Sequence, residues 1–119
     1  MVLRLYKILE ISEWLCFKKK KYFAGSKLDK SSGFIHMCKR EHLLSTIKLY
    51  YPKPRKLTIL EFRYFNIKDR IKWEISRNGL LFPHFYGIVA YKVVNKVLIM
   101  RNKFSQKNYD TKCINIYLH

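Results

Sequence analysis

The chain has 119 residues, 49% of them hydrophobic and 16% aromatic, which suits one folded domain and excludes a wholly disordered chain. Its formal net charge is +17, from 25 Lys and Arg against 8 Asp and Glu. Such an excess favours anionic partners: nucleic acids, phosphorylated ligands or acidic membrane surfaces. AT-rich coding would also enrich Lys, together with the frequent Ile, Asn and Tyr, so the charge alone identifies no ligand.

The three cysteines (Cys16, Cys38 and Cys113) form no CxxC pair, which argues for a reducing compartment rather than a disulfide framework. Charged residues interrupt the N-terminal apolar run too early for a secretory signal. No apolar stretch approaches the length of a membrane span. We therefore expect a cytoplasmic protein with no membrane partner.

The first half of the chain predicts two strands and two helices. An apolar run at residues 3–8 predicts the first strand, and Ser12 is the expected N-cap of a helix. Its buried face is predicted to consist of Ile11, Trp14 and Leu15, with Phe17 as a further candidate. The lysines at 18–21 end this helix, where cations complement the helix dipole. Residues 24–33 indicate a loop, residues 34–37 a short buried strand, and residues 41–51 a helix that ends at Pro52 and Pro54. The apolar face of that second helix is predicted from residue spacing to consist of Leu43, Leu44, Ile47 and Tyr51.

The second half predicts mainly strands. Residues 57–62, 71–75 and 93–100 have strand patterns. Residues 66–69 are a turn or one helical turn, Asn78-Gly79 is a turn, and residues 80–87 form a loop or strand edge. Residues 101–119 form a basic tail that we expect to be loosely ordered, although Ile114, Ile116 and Leu118 alternate as an edge strand would. The order of elements predicts an α+β fold with one domain at 1–100 and the tail at 101–119.

Four segments together resemble a known bacterial family, domain of unknown function 952, over about residues 4–100. They are Tyr6-Lys7-Ile8 with Trp14, Phe23-Ala24-Gly25-Ser26 with Asp29, Gly33-Phe34-Ile35-His36, and Trp73-Glu74-x-Ser76-Arg77 followed by Leu81-Phe82-Pro83-His84-x-Tyr86-Gly87. The resemblance implies an ADP-ribosyltransferase-like or RNA 2′-phosphotransferase-like fold: a small split or strongly bent mixed β-sheet with two main helices. In such enzymes NAD or an ADP-ribosylated RNA lies in a cleft between two small sheets, and His36 would take the place of a cleft histidine that contacts the ligand.

The candidate site consists of polar residues on apolar strands and glycine-bearing loops. The catalytic candidates are His36, Glu74 and His84, and the ligand-binding candidates are Lys7, Gly25, Ser26, Asp29, Arg77 and Tyr86. Imidazoles and carboxylates can move protons near neutral pH, and cationic side chains can bind phosphate.

Each candidate also has a structural interpretation. His36 would then be a core histidine bonded to a backbone carbonyl, Lys7 and Arg77 ordinary surface charges, and Asp29 the cap of a turn. Glu74 would pair with Lys72 or Arg77. Among the aromatic residues, Phe34 and Phe82 are expected in the core, whereas Tyr86 is the better candidate for stacking against a ligand.

The spacing His36-x-Cys38-x3-His42 provides three metal-binding donors, but a zinc site would need Cys113 or His84 to arrive from elsewhere, so no metal is predicted. The sequence thus favours a nucleotide-type pocket, either of an NAD- or ADP-ribose-dependent transferase or of a degenerate binder. The alternatives are a non-catalytic nucleic-acid-binding module that uses the basic surface, and a protein–protein interaction domain.

Overall fold

In the computed structural model, which describes the backbone of residues 2–104 and 109–118 and the side chains of residues 2–101, ten strands and four α-helices follow one another. The strands are β1 (Arg4–Glu10), β2 (Tyr22–Phe23), β3 (Ile35–His36), β4 (Cys38–Lys39), β5 (Arg55–Arg63), β6 (Ile71–Ile75), β7 (Leu81–Phe85), β8 (Val89–Ala90), β9 (Val94–Phe104) and β10 (Tyr109–Leu118). The α-helices are α1 (Ile11–Lys20), α2 (Lys27–Ser32), α3 (Leu43–Tyr50) and α4 (Tyr64–Ile67). The α+β class is therefore confirmed.

The strands form three sheets of five, three and two strands. Their orders are β10-β9-β5-β1-β4, β3-β7-β6 and β2-β8. Every strand pair that the structure describes is antiparallel, so the expectation of a mixed sheet is wrong. A parallel pair needs a long crossover connection, whereas most strands here are joined by short segments. Met37 alone separates β3 from β4, so the chain passes there from the three-stranded sheet to the five-stranded sheet.

Strand β1 lies inside the five-stranded sheet and is buried on both faces, which explains its nearly continuous apolar sequence. Leu5 and Leu9 belong to a core that also contains Trp14 and Phe17 of α1. Tyr6 and Ile8 point to a second core, on the α3 side of the sheet. Lys7 lies on the same face as Leu5 and Leu9 by strand alternation, and it too is buried.

Helix α1 begins two residues earlier than the sequence indicates. Its N-cap is Glu10, and the backbone N–H of Glu10 donates to Glu13 Oε1 at 2.8 Å, so the prediction of Ser12 as the cap is wrong. The helix starts directly where β1 ends, which leaves no room for a separate capping residue. Its buried side chains are Trp14 and Phe17, both of which the predicted face included, whereas Leu15 is exposed, contrary to the prediction.

Residues 24–33 are not a loop throughout, as the sequence predicted, because they contain α2. Ser26 is the N-cap of this helix, and Asp29 occupies the third helical position that completes a capping box. Gly33 ends the helix in the left-handed conformation, with φ of 87°. Ser and Asp suppress a helix prediction in general, but at this spacing they are the residues that start one.

Helix α3 follows a 3₁₀ turn at Arg40–His42 and ends before Pro52, in agreement with the predicted helix at 41–51. Its buried side is narrower than predicted. Leu43, Ile47 and Tyr51, spaced by four residues, contact the second core, whereas Leu44 is exposed. The helix packs on one side only, which leaves Leu44 and Tyr50 facing solvent.

The later elements are of the types predicted from the sequence, but several are longer than predicted. The segment 66–69, predicted as a turn or one helical turn, lies in α4 and in the 3₁₀ turn that follows it, and residues 80–87 contain a full strand, β7. Strand β9 runs to Phe104, and β10 pairs with it at the edge of the five-stranded sheet, in agreement with the edge-strand alternative. The side chains of the predicted basic tail from residue 102 onward lie outside the described part. Within that part, no helix combines the length and apolar character that crossing a membrane requires.

Candidate functional site

A cleft of about 640 Å³, open mouth included, lies where the three-stranded sheet meets the edge of β1. The residues that line it are Tyr6, Lys7, Ile8, Ser26, Leu28, Asp29, His36, Met37, Cys38, Thr46, Tyr50, Tyr51, Ser76, Arg77, Phe82 and His84. Strand β4 pairs with β1 only opposite Leu5 and Tyr6, so the edge of β1 is uncovered beyond them and faces the cleft.

The cleft contains a buried ionic network centred on Asp29. Lys7 Nζ donates to Asp29 Oδ1 at 3.0 Å and lies 2.9 Å from Oδ2. His36 Nδ1 lies 2.6 Å from Oδ1, and the backbone N–H of His36 donates to the same oxygen at 3.1 Å. The backbone N–H of Ser26 donates to Oδ2 at 2.9 Å. Asp29 is thus both the cap of α2 that the structural interpretation expected and the residue that holds Lys7 and His36.

The loop before α2 brings the Asp29 carboxylate into this position. Gly25 has φ of 116°, and a Cβ built there would lie 2.9 Å from Asp29 Cβ, so only glycine fits against the Asp29 side chain. Burial by itself raises the pKa of the carboxyl group. The hydrogen bond with His36, the charge of Lys7 and the two backbone N–H groups outweigh burial and hold the pKa of Asp29 well below its usual range. Asp29 is therefore an ionised acceptor at neutral pH.

The ionised Asp29 fixes the orientation of the His36 ring. Because Asp29 accepts at Nδ1, the proton of a neutral His36 ring resides on Nδ1, and Nε2 is left with a lone pair. Nε2 makes no hydrogen bond to any residue that the structure describes, and about 29% of the side chain is exposed. A histidine held in this way can accept a proton from a ligand or, once protonated, donate one. Its bonding partner is a carboxylate and not the backbone carbonyl that the alternative interpretation expected.

Arg77 lies across the cleft in the turn between β6 and β7. Its guanidinium lies 4.7 Å from the centre of the Phe82 ring, and Nη2 donates to Thr46 Oγ1 at 2.7 Å. The hydroxyl of Thr46 in turn donates to the carbonyl of His42 at 2.6 Å. These contacts fix the plane of the guanidinium and leave further N–H groups available to an anion.

A second histidine–carboxylate pair lies next to the first. His84 Nδ1 lies 2.9 Å from Glu74 Oε1, and the Tyr86 hydroxyl donates to the same oxygen at 2.6 Å. The bonds from Tyr86 and His84 lower the pKa of Glu74, and the bond to Glu74 raises the pKa of Tyr86. Phe34 stacks on the His84 ring with 3.8 Å between centroids. Phe34 is half-buried and does not lie in the core as expected, whereas Phe82 is buried as predicted.

The structure brings most of the predicted site residues to one concave surface. Those that line the cleft are Lys7, Ser26, Asp29, His36, Arg77 and His84. Glu74 and Tyr86 stand behind His84, where Glu74 bonds to His84 and Tyr86 and not to Lys72 or Arg77. Gly25 contacts the cleft only through Asp29. Thr46 and Tyr50 also line the cleft, from α3, and were not among the predicted site residues, because no local pattern distinguishes them from the other residues of that helix.

The cleft also contains a cysteine, Cys38, which is not activated as a nucleophile. Burial raises the pKa of the Cys38 thiol to about 11, so this cysteine is protonated at neutral pH and is a poor nucleophile. Nowhere in the described residues do three or more His, Cys, Asp or Glu side chains stand close enough to hold a metal ion.

Comparison with known proteins places the chain in a family. The crystal structure of protein CC0527 from Caulobacter crescentus is 28% identical, with a TM-score of 0.77, and the match covers 89% of this chain and 91% of that chain. The solution NMR structure of CC0527 is 32% identical over 79% of this chain and 81% of that chain, with a TM-score of 0.69. No curated protein matches the chain. The model of the family "Protein of unknown function (DUF952)" matches residues 8–97, so the chain belongs to the DUF952 family.

Proposed function

We propose that the cleft binds a phosphorylated nucleotide, with NAD and ADP-ribose as the first ligands to test, and that His36 donates or accepts a proton there. The observation that carries the proposal is the buried network of Lys7, Asp29 and His36, which directs the Nε2 atom of His36 away from its carboxylate partner. Buried ionic groups are costly to maintain in a fold, and in clefts they are frequently functional.

The charges that line the cleft favour an anion. Lys7 and Asp29 compensate each other, so Arg77 contributes an uncompensated positive charge to the wall. The planar fork of a guanidinium suits phosphate oxygens, and stacking on Phe82 already restricts its motion. Lys7 uses its ammonium group on both oxygens of Asp29, and its third N–H remains for a ligand.

Helix α3 offers an aromatic surface near Arg77. Tyr50 lines the cleft from α3 and is 45% exposed, and Tyr51 lies next to it. Arg77 itself bonds to Thr46, one turn before Tyr50 on the same helix. An exposed tyrosine that lines a cleft can stack on a nucleobase or a nicotinamide ring. A ligand with a phosphate at Arg77 and a planar ring at Tyr50 uses both groups.

Transferase chemistry of the ADP-ribosyltransferase or RNA 2′-phosphotransferase type is part of this proposal, as is the corresponding fold. Two observations support it: the sequence motifs around His36 and Glu74, and a cleft bordered by two sheets that separate at Met37.

Thermal unfolding with a panel of NAD, ADP-ribose, AMP and a 2′-phosphorylated oligoribonucleotide tests the proposal. A ligand at 100 times its Kd stabilises the native state by about 2.7 kcal/mol. We expect at least one member of the panel to raise the Tm of the wild type and of Lys48→Ala, an exposed change outside the cleft, but not of His36→Ala. An unchanged wild-type Tm across the whole panel would contradict it.

A second candidate function, binding of nucleic acid without catalysis, rests on one surface. Residues 18–21 are four consecutive exposed lysines at the end of α1, and the exposed Tyr22 follows them. Phosphate contacts and base stacking are the means by which proteins hold single strands. Binding of this kind weakens steeply with salt, because each phosphate contact releases counterions. Oligonucleotide binding that is absent at low salt, or insensitive to salt, would exclude it.

A further inference from the structure

The second histidine of the cleft has a role that nucleotide binding does not require. Two contacts hold His84: Glu74 bonds to Nδ1 at 2.9 Å, and Phe34 stacks on the ring. Tyr86 in turn holds Glu74 by bonding to the same carboxylate oxygen. As with His36, a carboxylate engages Nδ1, so Nε2 is the remaining ring nitrogen. The cleft therefore contains two imidazoles that are oriented by the same kind of bond.

The strand register places the two rings side by side. His36 on β3 lies directly opposite His84 on β7, and opposed residues in an antiparallel pair project from the same face of the sheet. The ring centroids are 5.9 Å apart, and both residues line the cleft. This separation is short enough for one phosphate group to contact both imidazoles at hydrogen-bonding distances of about 2.6–3.2 Å.

We propose that the cleft hydrolyses a phosphodiester of a nucleoside, with His36 as the general base and His84 as the general acid. The proposal rests on the proposed function, since the nucleotide phosphate must first bind in the cleft. His36 Nε2 takes a proton from water while the water oxygen forms a bond to phosphorus. Protonated His84 gives its Nε2 proton to the leaving oxygen as the phosphorus–oxygen ester bond breaks. The products are a phosphate monoester and an alcohol, and solvent returns both rings to their starting protonation states.

The partners of the two rings assign the roles. The charge of Asp29 is already compensated by Lys7, which assigns the base to His36. Among the described residues, Glu74 forms an ion pair with no lysine or arginine, so its carboxylate can offset the positive charge of an acid at His84. Glu74 is then a positioning residue, and Arg77 offsets the charge of the phosphate oxygens.

The substrate class follows from the need for an acid. An alkoxide is a poor leaving group and requires a proton as the bond breaks, whereas a phosphoanhydride or an aryl ester departs without one. A second imidazole is therefore useful for an ester of an alcohol, such as a ribose hydroxyl. A 2′,3′-cyclic nucleotide is the smallest nucleoside diester of this kind and fits a cleft that is open at its mouth.

Hydrolysis of two substrates by the full-length protein tests the inference: 2′,3′-cyclic AMP, whose leaving group is a ribose hydroxyl, and bis(4-nitrophenyl) phosphate, whose leaving group needs no proton. The variants are His84→Gln and His36→Gln, which keep a polar side chain but transfer no proton, with Lys48→Ala as the control. We expect the hydrolysis rate of His84→Gln to fall at least about 100-fold on 2′,3′-cyclic AMP and less than about tenfold on the nitrophenyl ester. The rate of His36→Gln should fall at least about 100-fold on both substrates.

Three results would overturn the inference. The first is AMP or ADP-ribose binding without turnover of either substrate, which leaves the proposed function intact. The second is equal loss on both substrates in a folded His84→Gln, which reduces His84 to a structural role. The third is absence of both binding and turnover in the wild type, in which case the proposed function fails as well. If His84→Gln does not fold, the His36→Gln variant decides alone: undiminished turnover of 2′,3′-cyclic AMP by that variant contradicts the inference.

Discussion

Replacing Asp29 by asparagine should destabilise the protein by about 3–5 kcal/mol, the range measured when one partner of a buried ion pair is removed. The side chain of Asp29 is 1% exposed and that of Lys7 is 7% exposed, so water cannot compensate the lysine charge that remains. The substitution also turns one acceptor oxygen into an amide N–H₂ group. That group would face either the Ser26 N–H and Lys7, or the two donors of His36 together with Lys7.

Urea unfolding measures this loss, and thermal unfolding should show a decrease in Tm on the order of 10 °C or more. The matched control is Glu41→Gln, because Glu41 forms an exposed pair with Lys39 at 3.6 Å and should contribute less than about 1 kcal/mol. Adding Lys7→Met to Asp29→Asn removes the unpaired charge and should recover part of the stability. A loss of less than about 1 kcal/mol in Asp29→Asn, or no recovery in the double variant, would refute the assignment of a buried ion pair.

The same carboxylate makes the stability of the protein depend on pH. Its pKa is lowered in the folded state, so its contribution is fully present above the unfolded pKa of about 4 and is lost as pH falls through the folded pKa. The free energy of unfolding of the wild type should therefore decrease between pH 5 and pH 2. Asp29→Asn should show a shallower decrease over this range, and parallel curves for the two proteins would show that other carboxylates dominate.

Three further substitutions and reactions test separate parts of the structure. Gly25→Ala should destabilise the protein more than Gly33→Ala, as measured by urea unfolding. Both glycines have positive φ, but only at Gly25 would the added Cβ meet another side chain. Equal losses in the two variants would contradict this close contact. Thr58→Val should be neutral or stabilise by up to about 1 kcal/mol, because Thr58 is fully buried and its hydroxyl has no partner among the described residues; a loss above 1 kcal/mol would reveal a bond that the hydroxyl makes. In a Cys113→Ser background at pH 8, a thiol reagent should label the exposed Cys16 quickly and the buried Cys38 only after unfolding, and two fast thiols would contradict the burial of Cys38.

Strands β1, β5 and β9 of the five-stranded sheet could be predicted because burial on one or both faces imposes a local pattern. The runs around β1 and β5 are apolar almost throughout, and this pattern does not depend on the rest of the chain. Helix α2 was missed because Ser and Asp are typical of loops. Only the tertiary contacts of Asp29 with Lys7 and His36 give those six residues a fixed place.

The sequence allowed most of the site residues to be predicted, but not which of them contact each other. His36 and His84 are adjacent because a strand of two residues, β3, adopts one register against β7, and no pattern in so short a segment specifies a register. Asp29 and Lys7 were both candidates, but they lie 22 positions apart in sequence, and no local pattern predicts that they bond to each other. Tyr50 was missed because the packing of α3 on one side only, which exposes it, is decided by the sheet beneath the helix.

The most direct test of the account is long-range ¹H–¹⁵N NMR of the imidazole rings, recorded with and without nucleotide at a pH where His36 is neutral. The account predicts that His36 carries its proton on Nδ1, facing Asp29, and that addition of ADP-ribose or AMP shifts the Nε2 resonance of His36. A His36 ring protonated on Nε2, or an Nε2 resonance that no nucleotide shifts at saturating concentration, would contradict the claim that this cleft is organised to bring His36 to a nucleotide phosphate.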